Sequence, residues 1–378
     1  MVRSKLPTVG VSIFTEIAAR VRETGAVNLS QGYPDLPVPV ALMDRIYFHM
    51  KAGHNQYAPS DGTPELRKAI SNLLSDQYDV AVSPVDEITI TSGATEALHD
   101  TFAAIIHPGD EVIVLEPAYD AYIPGILINQ GIPVPVKLSD EDFTVNWQLV
   151  EEKITQRTKV IIVNNPHNPT GTCLAKDDLR ELDRISNKYD LLVISDEVYN
   201  HLIFDGVRHE SVLMYPSLRE RSIAIFSFGK TFHATGWKVG YTVANKRISQ
   251  EIRKIHQFVT FTVHTPTQLG LADYTTYEHV RSMNDQFQQK RDLIISGLSA
   301  TPFDLVPAQG TYFQIIDYSK FSSSDDRQLV NQLIDQHRLA TIPLSPFYSD
   351  EHQSGKLRLC FAKVDETLHQ AINILQKL

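Results

Sequence analysis

The stretch that decides the fold is SIAIFSFGKTFHATGWKVGYTV, residues 222–243, in which two short apolar runs flank a polar loop. The runs 222–226 and 239–243 have the length and composition of buried strands. Lys230 lies in the loop, just after the first run. A single loop lysine is usually a solvated surface charge, so its role depends on what the neighbouring strands place beside it.

Four similar runs precede this stretch, at residues 87–91, 111–115, 159–163 and 191–195. Helical patterns, such as residues 95–106 and 176–189, lie between most of them. Strands that alternate with helices predict an α/β fold with a mainly parallel sheet. Ligands of such sheets bind at the carboxyl ends of the strands, so the residues of a functional site are expected there.

The two ends of the chain differ from this middle region. Turn signals dominate the first 45 residues, and a long helical pattern covers residues 281–298. Short strands (311–316, 356–361) then mix with helices (327–337, 366–378), which indicates a smaller α+β domain. We therefore predict an N-terminal arm with part of the small domain at 1–45, a large domain at 46–290 and a small domain at 291–378.

Composition excludes several classes of function. The formal net charge of −10 would repel nucleic acid and anionic lipid, and no run of about 18 apolar residues occurs. The two cysteines, Cys173 and Cys360, cannot form a disulfide framework and fit a reducing compartment. We predict a cytoplasmic protein with no metal site, no membrane and no nucleic-acid partner.

Three other strand ends carry polar residues that could complete a site around Lys230. Asp196 follows the run 191–195, and Tyr199 is three residues further on; an aspartate here is also a common helix N-cap. Asn168 lies in a turn that two prolines make rigid, although many such turns have no function. Residues 92–95 place small side chains at a predicted helix N-terminus, where phosphate binds.

Together with the segments NLSQGYPD (28–35) and LRLCFA (357–362), these motifs make the chain resemble the class I/II aminotransferases of fold type I, which use pyridoxal 5'-phosphate (PLP). The resemblance covers nearly the whole chain and is strongest to bacterial methionine aminotransferases and the kynurenine aminotransferase/glutamine transaminase K branch. It implies a large domain with a mainly parallel seven-stranded sheet sandwiched by helices, and a smaller α+β domain.

The resemblance also implies residue roles. Lys230 would hold PLP as a Schiff base and act as the general base, with Asp196 at the ring nitrogen and Tyr199 as a further catalytic residue. The other cofactor contacts that it implies are Gly93, Ala94, Thr95, Tyr119, Asn168, Ser227, Lys238 and, from a partner subunit, Tyr57. Many family members have arginine in place of Lys238, and the kynurenine-type branch shares the lysine.

For the substrate, the resemblance implies that Arg358 binds the α-carboxylate with help from Gly32 and Asn168. The implied side-chain pocket consists of Phe14, Tyr33, Tyr122 and Phe347, with Val263 and His264 from the partner subunit of a homodimer. Aromatic walls without an added cation favour uncharged side chains. We therefore expect transamination of methionine, or of aromatic amino acids or kynurenine, with a 2-oxo acid.

Two alternatives remain open on the sequence. The same site could eliminate a β-substituent, as cysteine-conjugate β-lyases do, because both reactions pass through a Cα carbanion. A PLP-binding sensor without catalysis is the other alternative. It is disfavoured because the chain is acidic and has no basic helix-turn-helix segment before the fold.

Overall fold

The computed structural model describes residues 2–7 and 9–378. Its strands are β1 (Val27–Asn28), β2 (Ile88–Thr91), β3 (Glu111–Glu116), β4 (Ile132–Lys137), β5 (Thr158–Asn164), β6 (Leu192–Asp196), β7 (Ser222–Ser227), β8 (Gly240–Ala244), β9 (Asp304–Leu305), β10 (Phe313–Asp317), β11 (Leu339–Ala340), β12 (Ile342–Pro343) and β13 (Lys356–Cys360).

The α-helices are α1 (Ile13–Thr24), α2 (Val40–Lys51), α3 (Pro64–Tyr78), α4 (Ala94–Ile105), α5 (Tyr122–Ile128), α6 (Trp147–Glu152), α7 (Lys176–Tyr189), α8 (Pro216–Arg219), α9 (Phe228–Thr231), α10 (Lys246–Val259), α11 (Thr265–Tyr274), α12 (Tyr277–Ser282), α13 (Asn284–Leu298), α14 (Asp326–His337) and α15 (Asp365–Leu375).

A seven-stranded sheet forms the centre of the molecule, in the order β2-β8-β7-β6-β5-β3-β4. Every neighbouring pair is parallel except those that involve β8, which is antiparallel to both β7 and β2. Successive residues of β3 belong to different apolar clusters: Val112 and Val114 to one, Ile113 and Leu115 to the other. Both faces of the sheet are therefore buried under helices, which confirms the predicted fold class.

Six of the seven strands of this sheet were predicted to within one or two residues. The exception is β4, which contains Pro133 and Pro135 and lies at the sheet edge next to β3. Proline lacks an N–H and is depleted in strands, so the composition of this run did not predict a strand. An edge strand nevertheless tolerates proline, because one of its sides has no neighbouring strand to accept hydrogen bonds.

A second, antiparallel sheet has the order β12-β13-β10-β9, and β1 pairs in parallel with β11 as a separate two-stranded sheet. The predicted helix 281–298 is divided at Met283, where α12 ends and α13 begins. The domain division at 45/46 and 290/291 stays a prediction, and α13 runs continuously across its second boundary.

Among the helices that residues 2–7 and 9–378 form, none is long and apolar enough to cross a bilayer. The cytoplasmic location stays a prediction.

Candidate active site

The predicted site residues converge at one edge of the seven-stranded sheet. The parallel strands β5, β6 and β7 end there at Asn164, Asp196 and Ser227. Because β8 is antiparallel to both of its neighbours, β2 runs in the same direction as β7 and brings Gly93 to the same edge. These ends surround a cavity of about 250 Å³.

Ten of the eleven predicted cofactor residues line this cavity: Gly93, Ala94, Thr95, Tyr119, Asn168, Asp196, Tyr199, Ser227, Lys230 and Lys238. The predicted substrate residues that line it are Arg358, Gly32, Asn168, Phe14 and Tyr33. The predicted residues that lie outside the lining are Tyr57, Tyr122, Val263, His264 and Phe347.

An anion-binding cradle lies at the N-terminus of α4. Gly93 precedes the helix with φ of 80°, a conformation that residues with a side chain rarely adopt. A Cβ there would lie 3.2 Å from Cε and Nζ of Lys238, so the glycine leaves room for the ammonium group. The free N–H groups of the first turn and the nearby positive charge together favour a phosphate.

Lys230 lies in α9, directly after β7, and its side chain is partly buried at the cavity. Its Nζ donates to the Gly32 carbonyl at 3.2 Å and lies 5.6 Å from the ring centroids of both Tyr199 and Tyr312. Burial lowers the pKa of Lys230 to about 8, although the Asp196 carboxylate opposes the shift. An appreciable share of this amine is neutral near pH 7.5 and can act as a nucleophile or a base.

Asp196 is the acidic group of the cavity and is only 4% exposed. The Tyr122 hydroxyl donates to its Oδ2 at 2.7 Å, and the Val198 N–H donates to its Oδ1 at 3.4 Å. Burial raises the pKa of Asp196 to about 6, and the Tyr122 hydrogen bond works against that rise. The structure thus places Tyr122 behind Asp196, as a support for the carboxylate, and not in the lining where it was predicted.

Two tyrosines offer neutral hydroxyls to the cavity. Burial raises the pKa of Tyr119 to about 12 and raises that of Tyr199 further. The Tyr119 ring packs edge-on against Tyr122, and Tyr199 packs edge-on against Tyr312, with centroids 5.7 and 5.1 Å apart. Both hydroxyls therefore stay protonated and can donate hydrogen bonds to a ligand.

Arg358 lies in the middle of β13 and is 1% exposed. Its Nη1 donates to Asn168 Oδ1 at 2.8 Å and its Nη2 donates to the Ser30 carbonyl at 3.1 Å. No carboxylate of the described chain forms an ion pair with it, and its buried Nε has no hydrogen-bond partner. Burial lowers its pKa to about 10. This guanidinium is available to an anionic ligand.

The remaining predicted residues lie elsewhere. Tyr57 is 81% exposed, whereas Val263 is buried and the His264 ring hydrogen-bonds Thr267. These three were assigned to the site of a partner subunit, and that assignment stays a prediction. Phe347 is buried beside Phe14, just behind the lining.

Asn164, Tyr312 and Phe313 also contribute to the site, although none of them was predicted. Asn164 donates to the Asp196 carbonyl and accepts from the Asn168 N–H, both at 2.7 Å, so it holds two site residues together. The Tyr312 hydroxyl donates to the Gly32 carbonyl, and Phe313 lines the cavity. The sequence does show Tyr312 and Phe313 as an aromatic pair on a predicted small-domain strand. Only the strand register, however, shows which way these two side chains face.

The comparisons with known proteins agree with this geometry. Residues 24–375 match the family described as aminotransferase class I and II. The chain is 43% identical to the methionine aminotransferase of Escherichia coli over its full length and 98% of that relative. It is 34% identical to a kynurenine–oxoglutarate transaminase of Dictyostelium discoideum, which covers 98% of this chain and 94% of the relative.

Solved structures show the same relationship. A crystal structure from E. coli, described as having a methionine aminotransferase function, has a TM-score of 0.98 at 43% identity, with full coverage of both chains. The N-succinyldiaminopimelate aminotransferase of Mycobacterium tuberculosis has a TM-score of 0.96 at 32% identity, again with full coverage. The family match spans most of the chain and the fold is shared throughout, so this protein belongs to the class I and II aminotransferases.

Proposed function

We propose that this aminotransferase binds PLP in the cavity at the sheet edge and transaminates uncharged L-amino acids, methionine first. The observation that carries the proposal is the donor set of the cavity. A lysine amine with a lowered pKa, a phosphate cradle, a buried carboxyl group and an unpaired arginine all face one space. These are the groups that a phosphorylated pyridine aldehyde and an amino-acid carboxylate require.

The residues of the cavity fit PLP on two further counts. The tight space at Gly93 admits a phosphate next to Lys238 and the first turn of α4, with Ser227 and Thr95 alongside. The buried Asp196 carboxyl gains a cationic partner when it meets a protonated ring nitrogen, which would lower its raised pKa. Lys230 would attach the cofactor covalently through Nζ.

Bound PLP supplies an aldehyde that condenses with amines and a conjugated ring that accepts the electrons of the Cα–H bond. Arg358 holds the substrate carboxylate and thereby fixes the direction in which the Cα–H bond points. The free amine of Lys230 would take the proton from Cα as a general base. The Gly32 carbonyl, its hydrogen-bond partner in the structure, gives the free amine a defined position.

The preference for uncharged side chains rests on the cations of the cavity. Of the residues that the structure describes, the cations in the lining are Lys230, Lys238 and Arg358, and each already has a role in the proposal. A second substrate carboxylate would lack a partner here. Phe14 and Tyr33 line the substrate side and suit an apolar chain such as that of methionine. The same Arg358 would serve both amino acid and oxo acid, which supports ping-pong kinetics.

We also propose that the enzyme acts as a homodimer. Large apolar side chains are exposed near Tyr57 and along α2 and the end of α10, namely Val40, Met43, Tyr47, Phe48, Met50, Phe258, Val259 and Phe261. Exposed apolar side chains that are concentrated on a few elements are typical of a protein interface. Size-exclusion chromatography with light-scattering detection should give twice the mass of one chain. A monomer at micromolar concentration would contradict the proposal.

The test of the function is the absorbance spectrum. We expect a yellow protein that L-methionine, L-phenylalanine or L-kynurenine bleaches and a 2-oxo acid restores. Lys230→Ala should abolish the response, whereas Lys246→Ala, which changes an exposed surface lysine, should keep it. A protein that stays colourless with added PLP would contradict cofactor binding. If L-aspartate alone bleaches the colour, the side-chain preference is wrong.

The yield of ammonia separates transamination from β-elimination. A β-lyase releases a thiol, ammonia and a keto acid from a cysteine conjugate without consuming an acceptor. Transamination consumes one 2-oxo acid for each amino acid and releases no ammonia. We expect methionine to give stoichiometric amino transfer.

A further inference from the structure

The guanidinium of Arg358 lies in a cage of three phenylalanines. Its Cζ is 4.0 Å from the ring centroid of Phe313, 5.2 Å from that of Phe14 and 5.3 Å from that of Phe347. The 4.0 Å contact is far inside the range of about 6 Å at which a cation is attracted to a ring face. The cage therefore replaces an acidic counter-ion, which no described residue provides.

The strand register explains why Phe313 meets Arg358. In the antiparallel pair of β10 and β13, Arg358 lies opposite Ile315, and Phe313 lies opposite Cys360. Residues two apart on a strand share a face, so Phe313 and Arg358 are diagonal neighbours on one face of the sheet. The ring also meets the segment around Gly32: a Cβ on Gly32 would lie 3.0 Å from Phe313 Cζ and 3.8 Å from Arg358 Nη2. Gly32 therefore packs against both the ring and the guanidinium.

A ring and a carboxylate stabilise this cation in different ways. A carboxylate would accept the N–H groups of Arg358 and occupy the place of the substrate. A ring attracts the charge through its face and accepts none of the in-plane N–H groups. Of the five N–H groups of the guanidinium, the protein engages one on Nη1 and one on Nη2. The others remain for a ligand.

We propose that Phe313 is a positioning residue that holds the Arg358 guanidinium flat, charged and unpaired until a substrate carboxylate arrives. This inference rests on the proposed function, in which Arg358 binds that carboxylate. Phe347, predicted as a wall of the side-chain pocket, contacts Arg358 and Phe14 from behind the lining and closes the cage. Phe14 is shared, because it lines the cavity and also faces the guanidinium.

The test is Phe313→Leu, which removes the ring face and keeps an apolar side chain. The matched control is Phe361→Leu: Phe361 is a fully buried phenylalanine that follows β13, and its ring packs against Phe204. Two ligands of the holoenzyme are compared. One is 3-(methylthio)propionate, an unreactive carboxylate whose Kd is measured by absorbance titration; the other is 3-(methylthio)propylamine, the methionine analogue without a carboxylate.

We expect Phe313→Leu to raise the Kd of the carboxylate and the KM of L-methionine about tenfold, with kcat changed by less than about threefold. The reaction with the amine should keep its wild-type rate, and Phe361→Leu should leave all of these values near wild type. Equal losses with the amine and the amino acid, or equal effects of the two substitutions, would show that Phe313 only fills space. A wild-type holoenzyme that binds neither ligand would instead overturn the proposed function.

Discussion

A buried charge cluster beneath the phosphate cradle predicts how stability depends on pH. His256 of α10 lies against Glu96 and Asp100 of α4, and His256 and Asp100 are fully buried. The His256 Nδ1 is 3.2 Å from Asp100 Oδ2 and 3.4 Å from Glu96 Oε1, while its Nε2 is 2.9 Å from the Ser60 carbonyl. Only a protonated ring can donate from both nitrogens, so this geometry favours the imidazolium.

Burial lowers the pKa of His256, but the hydrogen bonds and charges of Asp100 and Glu96 more than offset it and raise the pKa to about 9 from 6.5. The difference of about 2.5 units between the folded and the unfolded pKa of His256 corresponds to at most about 3 kcal/mol of folding free energy, at roughly 1.4 kcal/mol per unit. Burial also raises the pKa of Asp100, which reduces the net gain. Because the folded pKa is the higher one, the stabilisation is complete below pH 6.5 and is lost as the pH rises through 9.

The assay is the thermal midpoint of the protein at several values between pH 6 and 9.5. We expect the wild type to lose stability over this interval and His256→Gln to start lower at pH 6 and change less. His337→Gln, at an exposed position near the end of α14, serves as the control and should follow the wild type. Parallel curves for the wild type and His256→Gln would refute the imidazolium assignment.

Three further substitutions test the site. Tyr122→Phe removes the hydrogen bond to ionised Asp196, so the acid limb of the pH–activity profile should move up by about one unit; an unmoved limb would contradict the role of Tyr122. Gly93→Ala strains the cradle and should raise the Kd of PLP about tenfold, whereas Gly53→Ala, with a similar φ but open space, should not. Arg358→Lys exchanges a planar fork for a point charge and should raise the KM of L-methionine about 30-fold or more; a KM within a factor of three would argue against carboxylate binding there.

The fold was largely predictable because its central strands are buried on both faces. Such strands read as continuous apolar runs, and the alternation with helices then predicts the parallel sheet. Prediction failed where local composition and tertiary position disagree. Pro133 and Pro135 are compatible with β4 only because it is an edge strand. The helix pattern at 281–298 gave no sign of the break at Met283.

The site was predictable where each residue follows a strand of the large sheet. Parallel strands bring their ends together whatever the length of chain between them, so Asp196 and Lys230 could be paired from sequence. The contacts of Arg358 could not be derived in this way. They depend on the register between β10 and β13 and on the path of the arm at Ser30, and neither leaves a local signal in the sequence.

The cations of the cavity imply that a bound anion stabilises the protein. The chain carries a net charge of −10, yet Lys230, Lys238 and Arg358 face one small space, and the charges of the latter two lower the pKa of Lys230. An anion at the cradle relieves this repulsion, and a ligand at 100 times its Kd stabilises a folded protein by about 2.7 kcal/mol. Inorganic phosphate should therefore raise the thermal midpoint of the cofactor-free protein more than chloride at equal ionic strength. Lys238→Gln should lose most of the difference; equal shifts with both salts would show that the cradle does not select phosphate.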